Sequence, residues 1–264
     1  MDQILIPRPA ATVMPLRDAD DGFEVLMLRR NLRSDFVGGA YVFPGGGVDE
    51  ADSGPVAESL VIGLSDVEAS RRLGLETGGL AYYVACLREL FEEAGLLVVC
   101  DGDGVARDLG ERDTVERFAT LRQAVNAKEL RFLDMLRDEQ LHLDMRELEY
   151  VAHWVTPVGP PRRFDTRFFV AMAPRGQVAT HDAGETIADT WVRPLDALAA
   201  RDRGEFEMIL PTVTNLKAIA HFGSAREVLD YAKSKTEIPK IEPRIVTVHN
   251  ETRIVLPDGD SYAG

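Results

Sequence analysis

The chain has 264 residues, of which 45% are apolar and 28% are charged. This length admits one large domain or two small ones, and the composition is that of an ordinary globular protein. Forty-four acidic residues against 30 basic ones give a net charge of −14, which disfavours sequence-independent binding to a nucleic-acid backbone. A small phosphorylated ligand would need local cations or a metal ion to overcome this negative field.

The sequence carries no signal for export or membrane insertion. Its two cysteines, Cys86 and Cys100, are too few for a disulfide framework or a four-ligand zinc site. The N-terminus has an acidic residue where a signal peptide has basic ones, and no apolar run approaches about 18 residues. We therefore expect a cytoplasmic protein with neither a nucleic-acid nor a membrane partner.

Hydrophobic periodicity and turn residues predict an alternation of strands and helices. In chain order, the predicted elements are strands at 12–17, 23–30 and 41–43, helices at 65–73 and 80–94, a strand at 96–100, one or two helices within 113–140, strands at 151–156, 168–173 and 187–192, and helices at 195–203, 212–222 and 224–234. The first two strands read as a hairpin, and Ser65 with Glu68 has the form of a capping box. Three glycines, Gly45 to Gly47, follow the third strand, where no regular element would favour them.

These elements indicate one α/β domain over residues 1–235, with insertions at about 53–80 and 104–146. Residues 236–264 are rich in Pro, Lys and Asp and predict an extended tail.

Three acidic side chains, Glu89, Glu92 and Glu93, share one face of the predicted helix at 80–94. Carboxylates at positions i, i+3 and i+4 repel one another unless a positive group lies between them. Hard oxygen ligands at this density suit Mg²⁺ or Mn²⁺, whereas a solvated acidic surface is the alternative interpretation. The upstream glycine run favours the metal site, because such a loop brings backbone groups close to a ligand.

The two segments together resemble the signature of the Nudix hydrolase family, G-x5-E-x7-R-E-U-x-E-E-x-G-U, in which U is aliphatic. The second half, from Arg88 to Leu96, matches at each defined position, and the first half begins at Gly46. Asp52 stands where the family has its first glutamate. Forty-two positions separate Gly46 from Arg88 instead of 14, so 28 residues interrupt the signature. A loop tolerates this, because closure entropy grows only with the logarithm of length.

The interruption, Asp52 and the phrase Tyr-Val-Phe-Pro-Gly-Gly resemble one subgroup, the peroxisomal acyl-coenzyme A diphosphatases and their bacterial relatives. The likeness extends to 154–157, 163–169 and 210–216, and covers most of residues 10–222. It implies a Nudix fold, an α/β/α sandwich with a mixed sheet, carrying helical insertions.

The resemblance also implies roles for individual residues. The implied metal ligands are Glu89, Glu92, Glu93 and the backbone carbonyl of Gly45. The implied catalytic residues are Glu89, Glu92, Arg88 and Glu185. Arg88 would hold a carboxylate of the helix by an ion pair, and Asp52 would reach an arginine or the outer metal shell. Many Nudix enzymes place a further carboxylate, here Glu185, on a loop facing the site; an exposed loop acid is the alternative.

The resemblance implies hydrolysis of a phosphoanhydride bond, with coenzyme A or acyl-CoA as the leading substrate. The expected substrate-binding residues are Gly46, Gly47, Arg29, Arg163 and Arg167. Arginine forks bind phosphate well, although ion pairs with surface acids are the alternative for the cluster near 162–167. The segment 28–36 shares an arginine with the CoA motif but lacks its histidine. ADP-ribose, NADH or another nucleoside diphosphate derivative is the alternative substrate, and a non-catalytic binding module is the alternative class. Family habit also predicts a homodimer.

Overall fold

The structure is a computed structural model that describes residues 5–32, 38–182, 184–248, 251–257 and 261–262. Residues 33–36 of the arginine-containing segment lie outside these ranges. Within the described ranges, the strands are β1 (Arg8–Ala19), β2 (Gly22–Arg30), β3 (Tyr41–Val42), β4 (Gly45–Gly47), β5 (Val61–Ile62), β6 (Val99–Cys100), β7 (His142–Asp144), β8 (Leu148–Val155), β9 (Phe164–Met172), β10 (Thr186–Val192), β11 (Lys240–Ile241), β12 (Arg244–Val248), β13 (Glu251–Val255) and β14 (Ser261–Tyr262). The helices are α1 (Pro55–Ser59), α2 (Asp66–Leu73), α3 (Leu80–Ala94), α4 (Arg112–Asn126), α5 (Phe132–Asp138), α6 (Pro194–Asp202), α7 (Leu210–Ile219) and α8 (Ala225–Ser234), with one 3₁₀ turn at Glu50–Asp52.

A mixed sheet lies at the centre of the fold. Its strand order is β10-β2-β1-β9-β8-β11, with β3 beside β2 and β4 beside β1. β1 is parallel to β9 and antiparallel to both β2 and β4. Ala19 pairs with Gly22 at the tip of β1 and β2, which confirms the predicted hairpin.

The side chains of β1 alternate between two separate cores, one on each face of this sheet. Ala11 and Val13 belong to a core that includes most of the apolar face of α3. Met14 and Leu16 belong to a second core built with α7 and α8. A strand whose successive side chains enter opposite cores must be covered on both faces. The arrangement confirms the α/β/α sandwich with a mixed sheet.

Most elements occur where their local sequence signals predicted them. α2 begins after Ser65, whose side chain accepts a hydrogen bond from the Glu68 amide, and it ends at Gly74. The strands predicted near 151–156, 168–173 and 187–192 and the three helices after them are present. Two predictions were wrong. The glycines form β4, which pairs with residues 10–12 of β1, and only the last two residues of 96–100 form a strand.

The segments predicted as insertions pair with each other. β5, from the interruption of the signature, lies parallel to β7, which in turn lies antiparallel to β6, so the three form a small second sheet in the described chain. The C-terminal segment adds β11 to the edge of the main sheet, and β12, β13 and β14 pair antiparallel. In the described ranges, we find no helix that is both long enough and apolar enough to span a membrane.

Candidate active site

α3 carries the acidic face and packs its apolar face into the core. Tyr83, Leu87 and Leu90 are fully buried, and the Glu89 and Glu92 side chains on the other face are 13% exposed. The helix ends at Gly95, which takes a left-handed conformation and donates its N–H to the Phe91 carbonyl. Because the buried face fixes the rotation of the helix, the carboxylates are held near the end of the helix that faces β4.

Arg88 lies at the centre of an ion-pair cluster. Its Nε and Nη2 donate to the two carboxylate oxygens of Asp52 at 2.8 and 3.0 Å. Nη1 donates to Glu89 Oε1 at 2.7 Å and to Glu92 Oε1 at 3.4 Å, and Nη2 also donates to the Gly47 carbonyl at 2.8 Å. These hydrogen bonds outweigh burial and raise the pKa of Arg88. The guanidinium therefore stays charged and joins the two halves of the interrupted signature.

β4 contacts the carboxylates directly. The Gly45 N–H donates to Glu93 Oε2 at 3.0 Å. A Cβ on Gly46 would lie 2.5 to 2.7 Å from the carboxylate atoms of Glu89, so only glycine permits this approach. The Gly45 group that touches Glu93 is the N–H, and the role of its carbonyl as a metal ligand stays a prediction.

Burial and mutual repulsion disfavour the charged forms of two acidic groups of this cluster. Burial raises the pKa of Glu89 to about 7, against the lowering effect of Arg88. Burial and the charge of Glu89 raise the pKa of Glu93 well above its ordinary value, and the charge of Glu185 adds to this. Close carboxylates with raised pKa values mark a functional-site candidate, because an ion or proton must offset their repulsion.

The donor chemistry of this cluster fits a divalent metal ion. Carboxylate oxygens from adjacent turns of one helix face are the hard ligands that such ions prefer. In the part of the chain that is described, no three His, Cys, Asp or Glu side chains converge as a ready ligand set. Instead, Arg88 bonds Glu89 and Glu92, and the Gly45 amide bonds Glu93.

A loop before β10 brings Glu185 to the same place. Asp182 accepts hydrogen bonds from the amides of Glu185 and Thr186, which shapes the turn. The Thr180 amide donates to the Ala94 carbonyl at 2.9 Å and joins this loop to the end of α3. Glu185 and Glu93 line one cavity, as expected for a loop carboxylate that faces the site.

This cavity has a volume of about 840 Å³ and opens beside Glu93 and Gly45. Its wall is largely apolar and includes Trp154, Phe168 and Phe206. A pocket of this size with a few polar groups at one end is typical of a small-molecule site. Glu93 therefore places one edge of the acidic cluster at the polar end of an apolar pocket.

The predicted substrate arginines differ in their placement. Arg29 lies over the ring of Tyr41, whereas its neighbour Arg30 lines the cavity. Successive side chains of a strand point to opposite faces, so β2 can present only one of the two arginines to the cavity; the sequence interpretation missed this signal. Arg163 is buried and donates to the Leu5 carbonyl and the Glu242 carboxylate.

Arg167 is likewise buried, and it bonds Asp165 and His153. The β9 residues that line the cavity are Phe164, Thr166 and Phe168, which alternate with the arginines. Substrate binding by Arg163 and Arg167 stays a prediction, since the structure gives both of them protein partners.

Helix α4, in the segment predicted as the second insertion, also reaches the cluster, which the sequence interpretation missed. Lys128, just beyond α4, places Nζ 3.7 Å from Glu92 Oε2, and Arg122 donates to the Glu92 carbonyl. No local signal distinguishes these residues from the other charged residues of the insertion.

Comparison with known proteins gives one consistent family. The family model for the NUDT19 Nudix domain matches residues 68–219, more than half of the chain. Acyl-coenzyme A diphosphatase NUDT19 of Xenopus laevis is 25% identical over 272 residues, covering 91% of this chain and 71% of that protein. The Homo sapiens protein of the same name is 25% identical over 256 residues, covering 84% and 67%. A crystal structure of a Nudix hydrolase from Alicyclobacillus acidocaldarius has a TM-score of 0.66 and 29% identity, covering 85% of this chain and 96% of that one.

Proposed function

The chain belongs to the NUDT19-type Nudix hydrolases, and from this premise we propose that it hydrolyses the diphosphate bond of coenzyme A or an acyl-CoA. The observation that carries the proposal is the Arg88 cluster with Glu89 and Glu92, next to Glu93, which lines the apolar cavity. The products would be 3′,5′-ADP and the 4′-phosphopantetheine portion. The relatives' names supply the substrate, and the apolar wall suits a pantetheine arm with its acyl chain.

Members of this family generally use divalent metal ions, and we propose Mg²⁺ or Mn²⁺ here. Glu89, Glu92 and Glu93, with the Gly45 carbonyl, would hold the metal. When bound, it would neutralise charge on the diphosphate and lower the pKa of a water molecule. Arg88 keeps Glu89 and Glu92 pointing to one side by its hydrogen bonds to them.

Glu185 is the group that we propose to take the proton of the attacking water. It lies on a loop outside α3, faces the cavity, and raises the pKa of Glu93 through its charge. A carboxylate base of this kind supplies about 10²- to 10⁴-fold in rate.

The two buried cysteines, Cys86 and Cys100, form no disulfide, which suits the reducing cytoplasm that we propose as the location. A homodimer stays a prediction.

The test is product analysis with a panel of CoA, acyl-CoA, ADP-ribose and NADH, with Mg²⁺, Mn²⁺ or EDTA. We expect metal-stimulated cleavage of CoA or acyl-CoA. Preferred cleavage of ADP-ribose or NADH would show that CoA is not the substrate. If no compound of the panel is cleaved in a metal-stimulated reaction, the protein is better explained as a binding module.

A variant assigns the activity to this site. Glu92→Gln removes one charge of the cluster and should lower kcat at least about 100-fold with little loss of folding. Glu116→Gln, on the exposed face of α4, is the matched control and should keep the wild-type rate. Near-normal activity of Glu92→Gln would refute the assignment.

A further inference from the structure

One guanidinium from the inserted helix α4 bonds two segments of the site at once. Arg122 Nε donates to the Glu92 carbonyl at 3.0 Å, and Nη1 donates to the Thr180 carbonyl at 2.8 Å. Glu92 lies in the acidic face of α3, and Thr180 begins the loop that carries Glu185. The two donors of one rigid plane thus fix the distance between these segments.

The surroundings of Arg122 are adapted to this contact. Asn126, one turn further along α4, donates Nδ2 to the same Glu92 carbonyl at 3.1 Å. Gly95 lies against the guanidinium, since a Cβ there would be 3.0 Å from Arg122 Nη1. Carbonyls at a helix C-terminus attract cations, so the end of α3 is a favourable place for this charge.

The acids near Arg122 belong to the loop, to the site and to β10. Burial lowers the pKa of Arg122, and the charges of Asp182, Glu93 and Asp189 oppose that effect. Asp182 is the residue that shapes the Glu185 turn through its bonds to the amides of Glu185 and Thr186. Arg122 therefore stabilises the base of the loop without lining the cavity itself.

We propose that Arg122 is a positioning residue that holds the Glu185 loop at a fixed distance from the acidic helix α3. This inference rests on the proposed function, because it acts through Glu185 as the group that takes a proton. It gives the inserted helix α4 a part in the reaction. Displacing a reacting group by about 1 Å can cost about 100-fold in rate, so a loosened loop should lower kcat.

The variants are Arg122→Met, which keeps the stem, and Arg122→Lys, which keeps the charge but not the fork. Arg117→Met is the matched control, since it removes an ion pair of the same helix with Glu139, away from the site. We expect Arg122→Met to lower kcat about 10- to 100-fold with KM within about threefold, and Arg122→Lys to recover only part of the loss. Arg117→Met should keep the wild-type kcat.

A double-mutant cycle identifies the residue through which Arg122 acts. In a Glu185→Gln background, Arg122→Met should lower kcat by less than about twofold, because the group that it positions is already gone. A loss as large as in the wild-type background would overturn the proposal, since Arg122 would then act by another route.

Amide hydrogen exchange tests the same contact without any substrate. We expect faster exchange in loop residues 177–185 of Arg122→Met than in wild type or Arg117→Met, while peptides of the main sheet are unchanged. Unchanged exchange in that loop would overturn the proposal even if the enzyme is active. If no diphosphate compound is cleaved, the function fails, but this measurement still decides whether Arg122 holds the loop.

Discussion

Breaking the buried ion pair between Asp52 and Arg88 should strongly destabilise the protein. The Asp52 side chain is 2% exposed and that of Arg88 is 7% exposed, with two hydrogen bonds between them. Asp52→Asn keeps the shape of the side chain but removes the charge and one acceptor. Breaking a buried pair by removing one partner costs about 3–5 kcal/mol.

The other partners of Arg88 reduce that cost. Its guanidinium keeps its bonds to Glu89, Glu92 and the Gly47 carbonyl, and the asparagine oxygen still accepts one hydrogen bond. We therefore expect Asp52→Asn to lower the free energy of unfolding by about 2–3 kcal/mol. For a chain of this size, that corresponds to a fall in Tm of about 4–10 °C.

Urea denaturation followed by circular dichroism, in EDTA at pH 7.5, measures the difference. Asp49→Asn is the matched control, because Asp49 is 62% exposed and lies 3.7 Å from the same guanidinium. An exposed pair of this kind is worth less than about 1 kcal/mol. Equal free energies of unfolding for Asp52→Asn and Asp49→Asn would refute the argument that the buried pair joins the two halves of the signature.

Two further predictions concern the carboxylates and the glycine strand. Because burial raises the pKa of Glu89 to about 7, the metal-free protein should lose stability as pH rises from about 4.5 to 8, by up to about 3 kcal/mol. Urea titrations at several pH values measure how the free energy of unfolding depends on pH. Saturating Mg²⁺ or Mn²⁺ and the variant Glu89→Gln should each weaken this dependence. An unchanged pH dependence in Glu89→Gln would show that another group causes it. Gly46→Ala should displace the flexible Glu89 carboxylate and lower kcat with little loss of stability, whereas Gly45→Ala meets backbone atoms of Ala11 and Thr12 and should destabilise the fold. Equal effects of the two glycine variants on kcat and on thermal unfolding would contradict this distinction.

Features with a local cause could be predicted from the sequence. The capping box at Ser65, the end of α3 at Gly95 and the hairpin of β1 and β2 each depend on a few neighbouring residues, and each is present. The acidic face of α3 follows from helical periodicity alone. The family signature predicted that Asp52 would reach an arginine or the outer metal shell, and it bonds Arg88 although 28 residues interrupt the signature.

Features that depend on distant partners could not be predicted in this way. Three glycines have a low strand propensity, yet they form β4 because they pair with residues 10–12 of β1. The absence of side chains there is what allows Glu89 to approach. Likewise, the sequence near Arg122 gives no sign that its guanidinium reaches α3 and the loop at Thr180.

Hydrogen bonds between the two segments predicted as insertions explain how the halves of the signature come together. The Leu143 amide of the second insertion donates to the Leu60 carbonyl of the first, and the Met145 amide donates to the Ile62 carbonyl. The interruption is thus not an open loop whose closure must be stabilised at Asp52 and Arg88 alone. Its strand β5 pairs with β7. Asp66 accepts hydrogen bonds from the Gly78 and Leu80 amides, which ties the end of the interruption to the start of α3. Since loop-closure entropy rises only slowly with length, a few such bonds are enough to offset 28 added residues. The same second insertion carries Arg122, so the segment that stabilises the interruption also reaches the acidic helix and the Glu185 loop.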